Sequence, residues 1–61
     1  MSEIKIGDLV YSITTKKFGV VTEKKDHAFP WVISWNDGKE NWVDDDTAKV
    51  WKQDLLNLLK E

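Results

Sequence analysis

The chain has no cysteine, no arginine, one histidine and one proline, and no long apolar run. Without cysteine there is no disulfide framework, thiolate metal site or cysteine nucleophile, which is compatible with a reducing compartment. Without arginine there is no bidentate fork to read guanine edges, so sequence-specific DNA readout is not expected. All nine basic residues are lysines, set against eleven acidic ones for a net charge of -2. No segment approaches the roughly 18 apolar residues of a membrane span. Met1 to Glu3 lead straight into Ile4 with no signal-peptide hydrophobic region. A soluble, cytoplasmic protein with no membrane association is the expectation.

The single imidazole bears on catalysis. His27 follows Lys25 and Asp26 in a charged connection, and a general base needs a second positioned group and a concave site. The pattern therefore predicts an exposed loop histidine, no enzyme activity and no cofactor. Asp44-Asp45-Asp46 offers hard oxygen ligands, but consecutive side chains diverge, and the run lacks the alternation, central glycine and terminal glutamate of an EF-hand loop. It reads as a turn and helix cap, with no metal site.

What the chain does have is aromatic mass. Sixty-one residues allow one domain, and a chain this short buries only about 60% of the surface its unfolded form exposes. Four tryptophans, two phenylalanines and one tyrosine supply large side chains that each bury about 150 to 250 Å². With no disulfide to help, much of that area must be structural.

The order of turn and β-prone residues suggests a small barrel. Gly7 to Ile13 reads as a first strand, Thr14 to Lys17 as a loop, and Phe18 to Glu23 as a second strand with a bulge or sharp bend at Gly19. Pro30 holds Phe29 extended, and a third strand is expected from Trp31. There Trp31, Ile33 and Trp35 share the core face, with Val32 and Ser34 opposite. Asn36-Asp37-Gly38 is a hairpin turn into a fourth strand, Lys39 to Val43. In residues 44–61 an acidic turn precedes a closing element. Trp51, Leu55, Leu58 and Leu59 have helical spacing, whereas closing a five-stranded barrel calls for a strand. The expectation is a helical turn within residues 45–53 and a short strand near Leu55 to Leu59, with a C-terminal helix on an open barrel as the alternative.

Gly7-Asp8-Leu9-Val10, Phe18-Gly19-Val20-Val21 and Val32-Ile33-Ser34-Trp35-Asn36-Asp37-Gly38 resemble the SH3-like small barrels of the Tudor, Agenet and KOW type over about residues 5–43. The chain also resembles short SH3-like proteins encoded by tailed phages. The resemblance implies a mostly β, five-stranded SH3-like barrel and a protein- or peptide-binding module, in a phage setting one that engages a host protein in the host cytoplasm. In such barrels, aromatics from the loops at one end form a cage or groove. Tyr11, Phe18, Phe29 and Trp42 are the residues that can occupy those positions, and Asp44 and Asp45 would complement a cationic segment. Trp51 either joins that patch or anchors the tail. The structural alternative is that these rings are simply core.

A second reading is a nucleic-acid-associated module. Lys16-Lys17 and Lys24-Lys25 bracket the second strand, and Phe18 or Phe29 could stack on a base. Lysine pairs also keep strand ends soluble and block edge pairing, and this plainer use is favoured. A third reading is a weak homo-oligomer formed through a free strand edge or the leucine-rich tail.

Overall fold

Alternating β-prone segments separated by short turns produce a meander. Strands β1 (Leu9–Ser12), β2 (Lys17–Lys24), β3 (Trp31–Trp35) and β4 (Glu40–Val43) are followed by helix α1 (Asp45–Leu59). This computed structural model describes residues 3–60; residues 1, 2 and 61, where the expected single domain starts and ends, lie outside them. The strands form one antiparallel sheet in the order β1-β2-β3-β4. The sheet is open and carries one C-terminal helix.

The third strand begins at Trp31 as its sequence predicts, and Trp31, Ile33 and Trp35 face the core. Pairing carries the same face across the sheet: Val10 opposite Gly19, Val21 opposite Ile33, and Trp31 opposite Val43. Helix α1 lies against this inner face and packs chiefly on β1, contributing Ala48, Leu55 and half-buried Trp51. The turn after β3 has Asp37 and Gly38 where expected. The Gly38 N–H donates to the Trp35 carbonyl at 3.0 Å, the Trp35 N–H to the Lys39 carbonyl at 2.8 Å, and Gly38 sits at φ +89°. This is a three-residue hairpin loop, which needs a left-handed residue at its last position.

Two expectations are corrected. The segment 55–59 is not a closing strand but the end of α1. Asp44 caps that helix, its carboxylate accepting the Thr47 N–H at 2.9 Å, and Asp45 and Asp46 sit in the first turn, where negative charge is favourable. Ala48, Trp51, Lys52 and Leu55 then recur at helical spacing on the side facing the sheet, so local periodicity prevails over the demand for a fifth strand. The bulge is not at Gly19. Gly19 pairs regularly with Trp35, and the register shifts between Val21 and Glu23. Gly19 is required for a different reason: a Cβ there would lie 2.8 Å from Ile33 Cγ2 and 2.8 Å from Trp35 Cε3. Val32 points away from the core as expected yet is only 3% exposed, with Trp42 as its register partner on β4.

Asp8 ties the chain ends together. Its carboxylate accepts from the Lys5 N–H at 2.9 Å and from Lys52 Nζ of α1 at 3.1 Å, while Lys52 also donates to the Glu3 carbonyl. Partial burial opposes ionisation of Asp8, but the hydrogen bonds and charges of Lys52 and Lys5 outweigh it and hold the carboxyl below its usual value.

Candidate functional site

Strand alternation that sends Trp31, Ile33 and Trp35 inward must send their neighbours outward. The outer face of the sheet therefore presents Leu9 and Tyr11 from β1, Phe18 and Val20 from β2, and Trp42 from β4. Leu9 is 58% exposed, Phe18 43% and Trp42 49%.

The six residues singled out from the sequence divide into three groups. Tyr11 and Phe18 are register partners, with ring centroids 4.8 Å apart and tilted. Phe29 and Trp42 gather around His27 at the other end of the sheet. The imidazole meets the Trp42 ring edge-on at 5.2 Å and lies 6.1 Å from Phe29, and its Nδ1 accepts the Phe29 N–H at 3.1 Å. Phe18 and Trp42 are two strands and about four residues apart in register, roughly 16 Å by strand geometry. They belong to one face but do not form one cage.

Asp44 and Asp45 have structural partners. Thr47 holds the Asp44 carboxyl below its usual value through hydrogen bonds from its side chain and N–H. Asp45 pairs with Lys49 at 2.9 Å and accepts the Trp31 indole N–H at 3.1 Å; Lys49 and then Trp31 lower its carboxyl, and Lys49 is raised in return. Three of the four lysines that bracket β2 are engaged as well. Lys17 pairs with Asp37 and Lys25 with Glu23, and Lys24 Nζ stands 5.3 Å from the centroid of the Trp31 ring.

A second concavity was not anticipated from the sequence. The β1–β2 turn, the β3–β4 hairpin and the middle of α1 enclose a cleft of about 190 Å³ lined by residues that include Trp35, Trp51, Lys17, Asp37, Lys39 and Asn41. The two indoles meet at 5.0 Å and 75° and form an aromatic corner. Lys17 is the main cause of a lowered Asp37 carboxyl, followed by the Lys39 N–H. The available signal was Asn41. It pairs with Ile33 and so takes an inward register position, where an apolar residue is the rule.

Among the described residues, no three His, Cys, Asp or Glu side chains gather to hold a metal ion, and no helix is long and apolar enough to cross a membrane. Compared with known protein families, curated proteins and solved structures, the chain matches none.

Proposed function

We propose that this protein is a non-enzymatic module of SH3-like descent that captures a protein or peptide on the outer face of its sheet. The observation that carries this reading is the exposure of Phe18, Phe29 and Trp42, each between 43% and 50%. A chain this short has little apolar area to spare for its core, and rings left half in water on one sheet face are the composition of an interface centre. Tyr11 braces Phe18 and His27 braces Trp42, so both rings are held in place before a partner arrives. Preorganisation of that kind lowers the entropic cost of docking. In a phage setting the partner is a host protein and the site of action the host cytoplasm.

The single-strand reading has less support, because Lys17, Lys24 and Lys25 already have an acidic or aromatic partner. The test is affinity capture from the native cell with wild type, Phe18→Ala and Trp42→Ala. A true anchor costs about 2 kcal/mol or more on truncation, so a specific partner should be lost from at least one variant that still unfolds cooperatively. Identical captured proteins for all three would refute the outer face as the site.

A further inference from the structure

We infer that the cleft between the two turns and α1 is a second binding site, independent of the outer face, and that it takes an aromatic ring carrying one negative charge. Its size sets the first limit. At about 190 Å³ it falls below the roughly 300 Å³ at which pockets begin to hold drug-sized ligands, so it suits one ring system with a small polar group. Its walls set the second. Trp51 is half-buried and meets the buried Trp35 nearly at right angles, so an incoming ring can pack on the part of Trp51 that the core leaves uncovered.

Charge sets the third limit. The cleft holds two ammonium groups, Lys17 and Lys39, and one carboxylate, Asp37. Lys17 is paired with Asp37. The Lys39 side chain makes no hydrogen bond or ion pair among the described residues and acts on Asp37 only through its charge at longer range, so two positive charges face one negative and one remains unmatched. A single carboxylate matches it. Asn41 lines the same cleft and its carboxamide likewise has no partner among the described residues; it can donate to that carboxylate or accept from a ring N–H. An unpaired ammonium and an unpaired amide beside the Trp51 indole, in a cleft whose walls also include Ser12 and Thr15, are convergent polar groups that orient a ligand against an aromatic wall. The chemistry is shared by a free aromatic acid and by the C-terminal aromatic residue of a peptide.

The test is an NMR titration of the full chain with indole-3-acetate and with N-acetyl-tryptophan, with N-acetyl-tryptophan amide as the uncharged control. Both acids should shift the Trp51 indole N–H and the Asn41 side-chain amide, and the amide control should bind at least fivefold more weakly. A tighter complex with N-acetyl-tryptophan points to a peptide terminus as the source, a tighter one with indole-3-acetate to a free acid. Lys39→Ala should weaken acid binding about fivefold to tenfold, as expected for loss of one solvent-accessible charge-assisted contact. Asp37→Asn keeps an acceptor for the Lys39 N–H while removing the negative charge, and should tighten it. Neither substitution touches the core, so both variants fold. Equal affinity for acid and amide, no effect of Lys39→Ala, or no shift at Trp51 and Asn41 at millimolar ligand would each overturn the inference. None of these results bears on capture by Phe18 and Trp42.

Discussion

The two faces of the sheet are built from similar residues and have opposite fates. Trp31 and Trp35 on the inner face are 6% and 9% exposed, whereas Trp42 on the outer face is 49% exposed and Phe18 43%. The difference lies in what arrives to cover them. Helix α1 lies across the inner face, with Trp51 against Trp35 and Asp45 on the Trp31 indole; on the outer face only the loop carrying His27 and Phe29 reaches Trp42. Hydrophobicity alone thus does not decide which indole becomes core, and the connection that follows β4 does.

The sharpest way to break this comparison is to truncate one indole from each face. Trp35→Ala should cost about 3–5 kcal/mol, comparable to the whole stability of a 61-residue domain at about 0.05–0.15 kcal/mol per residue. Chemical denaturation should find the variant largely unfolded. Trp42→Ala should cost about 1–2 kcal/mol, since half of that ring is already in water. Equal losses would mean that the outer face is core too.

Gly19→Ala probes the inner face without removing anything. The added methyl group meets Ile33 and Trp35 at 2.8 Å, so overpacking should lower stability by about 1–3 kcal/mol. Gly38→Ala meets no atom within 4 Å but must hold φ at +89°, and should cost about 1 kcal/mol. Thermal melts of the two variants separate steric from conformational cost.

The smallest effect is that of acid. Asp8, Asp37, Asp44 and Asp45 all ionise more readily than their usual value of 3.8. Carboxyls lowered in the folded state add stability that is fully present above that value and is lost as the pH falls through their folded values. Circular dichroism should therefore be flat from neutrality to about pH 5 and lose helix signal below about pH 4. The helix should loosen first, because three of the four acids fasten it: Asp8 through Lys52, Asp44 as cap and Asp45 on Trp31. A sheet signal that disappears before the helix would contradict this.

Much of the strand order was legible because Gly7, Pro30 and Asp37-Gly38 punctuate runs with clear alternation, and the Trp31 start of β3 follows directly. The residues 55–59 were ambiguous because Leu55-Leu56 and Leu58-Leu59 satisfy helix and strand patterns alike; the deciding facts, the Asp44 cap and the Trp51 contact with Trp35, are one local and one tertiary. Gly19 looked like a bulge because a glycine in a strand has two uses, and only the position of the Trp35 ring distinguishes them. The scatter of Tyr11, Phe18, Phe29 and Trp42 could not be read from spacing, since two strands of separation and a register shift at Thr22 set it. The cleft was less legible still. It joins residues 12 to 51 through three elements, and only Asn41 gave a local hint.

The return of α1 onto β1 has a consequence for chains cut short. Every strand pairs with its neighbour in sequence, so β1 has one side free of any strand, and α1 is the element that packs on it. A product ending before Ala48 would leave that margin bare, with Leu9, Tyr11 and Ile13 alongside, and such margins recruit further chains into growing fibrils. Loss of α1 by truncation or proteolysis is therefore expected to drive this small fold toward aggregation, where an outer-face substitution such as Trp42→Ala only loosens it.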